Sequence, residues 1–254
     1  MRLDLASVLA QWATGGLLGL WVTERHRLVG VGYGWLLRSV YGVLALGALA
    51  AGVAHGDGGT GATVRDVGTA VLVAVAMLAL VFSVARRATP ARIPIALDLL
   101  AALVGFVALL GAADAVGGDF ALSAGRLVVG AAFLGFVTDG MLLGHWYLVQ
   151  PGLSRGPLVE MIRASAIVWP LEVGLLLVPP GMISVLDGSV DDGYDGLLGW
   201  TWVVSALTTI VLLFVADRAL RERFYSAVMA ATGLLYLAIL TAFGTDVLAR
   251  AVLA

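Results

Sequence analysis

Long apolar runs dominate this sequence and restrict what the chain can fold into. A helix needs roughly 20 apolar residues to cross the hydrocarbon core of a bilayer, and eight runs are of about that length. They cover residues 5–23, 31–54, 67–85, 93–112, 125–149, 158–183, 197–216 and 225–249. We therefore predict an all-α polytopic membrane protein with eight transmembrane helices, in which residues 1–254 form a single membrane domain. The main alternative is a count of seven, in which one of these helices does not span.

The composition supports this class and excludes several functions. Hydrophobic residues make up 61% of the chain and charged residues 13%, whereas soluble domains carry about 45–50% and about 25%. The absence of cysteine excludes disulfides and cysteine-ligated iron–sulfur clusters. The absence of lysine excludes a Walker A loop and a retinal-type Schiff base. A net charge of −2 gives no indication of nucleic-acid binding.

Arginines and acidic residues separate between alternate loops. The odd-numbered loops carry the arginines Arg25, Arg27, Arg86, Arg87, Arg92, Arg155, Arg218, Arg221 and Arg223. The even-numbered loops carry the aspartates Asp57, Asp66, Asp114, Asp119, Asp187, Asp191, Asp192 and Asp195, with Arg65 as their one arginine. By the positive-inside rule the odd loops are cytoplasmic, and both termini lie on the extracytoplasmic side of a bacterial inner membrane.

The two halves of the chain show weak internal similarity. With an offset of 125 positions, Trp21 aligns with Trp146 and Arg38 with Arg163. Internal self-similarity of this kind indicates repeat architecture. We expect two parallel-related four-helix halves, residues 1–118 and 119–254. Glycine-rich segments such as "TGGLLG" and "GAAFLG" are typical of close helix–helix contacts.

Ionisable residues at membrane depth are the candidate site, because they are unfavourable in lipid and usually face the protein interior. Asp139 and Glu172 are predicted near the middle of the fifth and sixth spans, at comparable depths, in one shared pocket. Two carboxyl groups this deep suit a proton relay, since each resists ionisation. The other candidates for binding or proton transfer are His145, Arg163, Arg38, Glu160 and Asp98.

Several features of the segment 141–165 and of the sixth span leave alternatives open. Glu160 and Arg163 have the i,i+3 spacing of an ion pair on one helix face. Trp146, Tyr147 and Trp21 either line a site or anchor helix ends at the interface. His26 and His145 could approach each other at a haem or metal site, although their spacing gives no ligand motif. Pro170, Pro179 and Pro180 either break a helix at a binding site or end it.

Three functions follow from these features. The leading hypothesis is a small-solute or proton-coupled carrier with its site between the second, fifth and sixth helices and no cofactor. The second is a quinone-binding redox subunit in which His145 and Asp139 exchange the quinone's proton, with haem as a further cofactor alternative. The third is a non-catalytic membrane scaffold. The lipid bilayer is the expected partner, with other membrane subunits or a homo-oligomer left open, and the sequence favours a carrier over an enzyme.

Overall fold

The computed structural model describes residues 4–55, 58–86, 92–179 and 181–253 as a set of helices without strands. Asp57, Arg87 and Pro180 lie outside the described residues. The helices are α1 (Leu5–Glu24), α2 (Val31–His55), α3 (Thr60–Arg86), α4 (Arg92–Val116), α5 (Phe120–Trp146), α6 (Gly156–Leu177), α7 (Met182–Leu186), α8 (Leu197–Ala219) and α9 (Tyr225–Val252). The predicted class, an all-α polytopic membrane protein, is confirmed by these helices.

Seven of the described helices, not the predicted eight, are long and apolar enough to span a membrane: α1 to α5, α8 and α9. The segment 158–183, predicted as the sixth span, is divided into α6 and the short helix α7. Helix α6 carries Glu160, Arg163 and Glu172 within 22 residues. These charges lower its apolar character. Val178, immediately before Pro179, has left the helical conformation (φ −57°, ψ 129°), and the helix ends there.

Helix boundaries follow from local capping chemistry. Asp4 caps α1, where its carboxylate accepts hydrogen bonds from the backbone N–H of Ala6 and Ser7, both at 3.1 Å. Asp119 caps α5 in the same way through Leu122. Pro157 lies in the first turn of α6, where its missing N–H leaves no bond unmade.

The helices pack as two groups that meet through α1 and α5. In the first group α1 contacts α2 and α4, and α3 contacts the same two helices. In the second group α5 contacts α6 and α9, and α8 contacts the same two. Helix α5 packs on both α1 and α4 across the junction. The origin of the two groups by duplication stays a prediction.

Glycines permit the close contact between α1 and α5. A Cβ on Gly15 would overlap the backbone carbonyl of Ala131, and a Cβ on Gly135 would lie 2.6 Å from the Cα of Gly15. The two glycine-rich segments singled out in the sequence therefore pack against each other. Small residues at such a crossing let backbones approach and increase van der Waals contact.

Candidate functional site

A buried arginine holds two carboxylates at the ends of three helices of the first group. The Arg38 guanidinium donates to Asp98 through Nε (2.8 Å to Oδ1) and Nη2 (2.6 Å to Oδ2). Nη2 also lies 2.5 Å from Glu24 Oε2. These three side chains are at most 8% exposed. Because Gly34 has no side chain, the guanidinium fits there: a Cβ would lie 2.5 Å from Nη1.

Asp139 extends this network toward the centre of the protein. The hydroxyl of Tyr41 donates to Asp139 Oδ1, and the hydroxyl of Tyr33 donates to the Asp139 backbone oxygen at 3.3 Å. The second carboxyl oxygen, Oδ2, is fully buried and has no hydrogen-bond partner among the described residues. Gly19 of α1 provides the space, since a Cβ there would lie 2.5 Å from Oδ2. We call this set the inner cluster: Glu24, Tyr33, Arg38, Tyr41, Asp98 and Asp139.

A second buried polar set lies where α1 meets the second group. Arg250 donates through Nε to Asp246 Oδ2 at 2.7 Å and through Nη2 to Gln11 Oε1. Asp246 and Arg250 are i,i+4 neighbours on α9, and each is 1% exposed. Together with Glu172 of α6 and Arg126 of α5 they form the outer cluster: Gln11, Arg126, Glu172, Asp246 and Arg250.

Glu172 is the least satisfied member of the outer cluster. It is fully buried, and neither carboxyl oxygen has a hydrogen-bond partner among the described residues. The charges of Asp246, Arg250 and Arg126 act on it electrostatically. Arg126 donates to the backbone oxygens of Leu175 (2.9 Å) and Val178 (2.7 Å) at the end of α6.

The predicted shared pocket of Asp139 and Glu172 is therefore wrong. Asp139 lies about 10 Å from the end of α5, whereas Glu172 lies about 24 Å from the beginning of α6, at 1.5 Å per residue. The two acids belong to different clusters with different partners. The proposed location between the second, fifth and sixth helices is corrected as well, since the inner cluster lies among α1, α2, α4 and α5.

His145 and Arg163 lie on the outer surface of the protein rather than with the buried acids. His145 Nδ1 is 3.4 Å from the hydroxyl of Tyr236 on α9. Arg163, with 64% of its side chain exposed, pairs with Asp217 of α8 at 3.3 Å. The quinone hypothesis paired His145 with Asp139; His145 is exposed, whereas Asp139 is fully buried.

Glu160 pairs with the first connecting loop and not with Arg163. Its carboxylate contacts Arg25, and its Oε2 lies 2.8 Å from His26 Nε2. His26 and His145 thus have different partners. In the part of the chain that the structure describes, no group of three metal-ligating side chains is close enough to hold an ion.

The aromatic residues at this end of the protein have distinct roles. Tyr147 was predicted as a site-lining residue or interface anchor, but it is 1% exposed and its hydroxyl donates to the Ser154 backbone oxygen at 2.6 Å. Its burial raises the pKa of the phenol above its usual value. Trp146 donates to Gln150 at 3.3 Å, and Trp21 lies beneath the Arg25 guanidinium, 5.3 Å away. These residues therefore organise the connecting loops.

Seven members of the two clusters are absent from the predicted site: Gln11, Glu24, Tyr33, Tyr41, Arg126, Asp246 and Arg250. A sequence signal existed for Arg250, because its i,i+4 spacing from Asp246 permits an intrahelical ion pair. Glu24 lies one residue beyond the predicted first span of 5–23, although α1 includes it. Tyr41 had no signal, since a lone tyrosine in an apolar helix is ordinary.

No protein-family description, curated protein or solved structure matches this chain. Its function is therefore inferred from the buried polar groups themselves.

Proposed function

We propose that the chain is a proton-coupled membrane carrier in which Asp139 and Glu172 take up and release protons. The observation that supports this proposal is that both carboxyl groups are fully buried, and that Asp139 Oδ2 and both oxygens of Glu172 have no hydrogen-bond partner among the described residues. A charged carboxylate in such an environment is strongly unfavourable, so the group is neutral until water or a cation reaches it. Alternation between these two states is what proton coupling requires.

The charge balance of the inner cluster favours a bound proton. Glu24, Asp98 and Asp139 would carry three negative charges against the single positive charge of Arg38. Arg38 directs its hydrogen bonds to Glu24 and Asp98, and Asp139 receives only the neutral hydroxyl of Tyr41. Asp139 is therefore the carboxyl group that holds the proton.

The outer cluster has balanced formal charges but an uneven distribution of partners. Asp246 takes the direct ion pair with Arg250, and the fork of Arg126 is turned toward backbone oxygens. Glu172 therefore lacks a direct cationic donor among the described contacts and is the second proton carrier of the proposal. A shift of Arg250 from Asp246 to Glu172 would exchange which acid is ionised.

Polar atoms on α1 suggest a route between the clusters. Gln11 Nε2, Thr14 Oγ1 and Thr23 Oγ1 are buried without partners among the described residues. Buried polar atoms usually bond to protein or to ordered water. The Gln11 and Gly19 levels are about 12 Å apart along the helix, a span that a short file of water could bridge when the helices separate. Such transient hydration would connect the inner and outer clusters for proton transfer only while the helices are apart.

Membrane placement completes the proposal. The arginine distribution supports a position of the inner cluster near the cytoplasmic face of a bacterial inner membrane, with both termini proposed to lie outside. Helix α6 then acts as an eighth, more polar span, held by α5 and α8. We interpret the two helix groups as duplicated halves. The two proposed proton carriers, Asp139 and Glu172, lie where these halves meet.

Proton flux in liposomes tests the proposal. The protein is reconstituted with an internal pH-sensitive dye, and a potassium diffusion potential drives proton entry. The Asp139→Asn and Glu172→Gln variants should each reduce flux at least about a hundredfold, the lower end of what is expected when a proton-transfer group is removed. Asp195→Asn and Glu222→Gln, which alter exposed acids in loops, serve as matched controls and should retain full flux.

Two other results would contradict the proposal. If the variants conduct like the natural protein, neither acid carries the proton. If the natural protein itself shows no flux under any imposed gradient, a sealed membrane scaffold is the better interpretation. Solvent extraction for bound quinone should accompany the assay, because a tightly held quinone would favour the redox hypothesis instead.

A further inference from the structure

A surface groove runs between α6 and α8, and it combines an apolar floor with a charged rim. Its volume is about 440 Å³. The apolar lining comes from Ile162, Ala166, Ile210, Val211, Leu213 and Phe214. Arg163, Asp217 and Arg221 form the polar end. The groove does not involve the buried clusters, so its role is independent of the proposed proton coupling.

The rim of the groove carries a net positive charge. Asp217 lies between two arginines: Arg163 Nε is 3.3 Å from its Oδ1, and Arg221 Nη2 is 2.8 Å from its Oδ2. A third arginine, Arg218, stacks over the Phe214 ring at 4.8 Å. Three arginines against one aspartate leave an excess of two positive charges beside an apolar channel.

Both rim arginines retain unused donors. Arg163 and Arg221 are 64% and 58% exposed, and each contacts Asp217 through a single nitrogen among the described contacts. The planar guanidinium fork suits a phosphate group, with which it forms paired hydrogen bonds. Asp217 fixes the two forks side by side, while their remaining N–H groups are left for a ligand.

The depth of this rim corresponds to a lipid headgroup. Arg163 lies about 10 Å from the beginning of α6, and Asp217 is two residues from the end of α8. Long arginine side chains at such positions reach the interface of the bilayer. The rim is on the side that the arginine bias assigns to the cytoplasm, where anionic lipids attract basic residues.

A second depression adjoins the first and shares Arg163. It has a volume of about 560 Å³ and is lined by Arg155, Gly156, Val159, Glu160, Ala164 and Ile167. Arg163 thus lies between two depressions on neighbouring faces of α6. A phosphodiester bound at Arg163 could direct one acyl chain into the α6–α8 groove while its headgroup occupies the second depression.

We propose that the α6–α8 groove is a binding site for an anionic phospholipid of the inner leaflet, with its phosphate on Arg163 and Arg221 and one acyl chain over Ala166. The occupant is a lipid and not a free anion because the apolar channel continues directly from the charged rim. Basic pockets between transmembrane helices on the cytoplasmic side are known to select such headgroups.

Lipid retention and stabilisation test this site. The protein is purified in mild detergent, and co-purified lipid is quantified by mass spectrometry. The shift in melting temperature is then measured on adding phosphatidylglycerol, phosphatidylcholine or inorganic phosphate. Phosphatidylglycerol should stabilise the natural protein, whereas phosphatidylcholine and phosphate should have little effect.

Two variants separate the headgroup from the chain. The double variant R163Q/R221Q should bind phosphatidylglycerol about thirty-fold more weakly. This value assumes that each arginine contributes about 1 kcal/mol of binding free energy toward an anionic lipid. A matched control, R27Q/R223Q, removes two exposed arginines elsewhere and should bind normally. The Ala166→Trp variant fills the channel and should also reduce lipid binding.

The outcomes distinguish lipid from other ligands. Equal stabilisation by phosphatidylglycerol and inorganic phosphate, with no effect of Ala166→Trp, would show a simple anion site and overturn the lipid proposal. Equal binding in R163Q/R221Q and R27Q/R223Q would show that general positive charge, and not this rim, attracts the lipid. Loss of lipid in both R163Q/R221Q and Ala166→Trp, with the control unchanged, supports the proposal.

Discussion

Arg38 and Asp98 form a two-point ion pair in the interior of the first helix group, with both side chains at most 1% exposed. The offset of 125 positions relates Arg38 to Arg163, which is 64% exposed and pairs with Asp217 on the surface. Two arginines at corresponding sequence positions therefore occupy opposite environments, and their replacement should have very different effects.

The first prediction compares these two arginines. Arg38→Gln leaves Asp98 and Glu24 buried without a cation, and loss of one partner of a buried pair destabilises by about 3–5 kcal/mol. Arg163→Gln removes an exposed contact and should change stability by no more than about 0.5 kcal/mol. Unfolding of both variants in mixed detergent micelles measures the difference. Equal stability would show that the inner cluster contributes nothing to folding.

The second prediction concerns the proton on Asp139. If Asp139 is neutral at pH 7, its carboxyl C=O gives an infrared band that disappears in Asp139→Asn. Tyr41→Phe removes the one side-chain donor to this group among the described residues, so the band should remain but move to higher frequency. Tyr225→Phe is the control, because that hydroxyl donates to the Tyr147 backbone oxygen instead. A carboxylate band in place of the C=O band would contradict a bound proton.

The third prediction concerns the contact between α1 and α5. Gly15→Ala places a Cβ against the Ala131 carbonyl, where backbone on both sides prevents relaxation. Overpacking of this kind destabilises by about 1–3 kcal/mol. Gly174→Ala is the matched control, because no atom lies within 4 Å of its added Cβ. Thermal unfolding should show a clear loss for the first and none for the second, while equal melting temperatures would contradict the close crossing.

The sequence predicted helix positions better than the arrangement of polar groups. Span length and apolar content gave the membrane class, and the glycine-rich segments identified a helix contact. The depths of Asp139 and Glu172 were misjudged because both helix boundaries lie earlier in the chain than predicted. The fifth helix ends at Trp146 rather than at residue 149, and the sixth begins at Gly156 rather than at residue 158, so Asp139 lies nearer its helix end and Glu172 farther from its own.

Rotation about the helix axes was the second source of error. In a membrane helix both the lipid-facing and the protein-facing sides are apolar, so periodicity gives little information about which side is buried. Periodicity therefore could not predict that Arg38 faces inward and Arg163 faces outward. The partners of loop residues were also not predictable. Arg155 was counted only as a cytoplasmic charge, yet it donates hydrogen bonds to the backbone oxygens of Leu220, Glu222, Arg223 and Phe224 between α8 and α9.

The fourth prediction concerns Asp192, which organises the loop before α8. Its carboxylate accepts backbone N–H bonds from Tyr194, Gly196, Leu198 and Gly199, at 2.9 to 3.2 Å. Desolvation opposes ionisation, but these four bonds together lower the pKa of Asp192 below its ordinary value of 3.8. A lowered pKa means that the folded loop favours the ionised form.

The pH dependence of this loop follows with a definite sign. The stabilisation is fully present above the ordinary pKa and is lost as the pH falls through the lowered value, so the loop should remain ordered at pH 5–7 and loosen below about pH 4. Amide exchange of these four N–H groups, corrected for intrinsic rates, measures the change. Asp192→Ala should show fast exchange at every pH, whereas Asp191→Ala should lose protection mainly at Gly193, whose N–H bonds to Asp191. Protection in Asp192→Ala equal to that of the natural protein would mean that the backbone alone holds this turn.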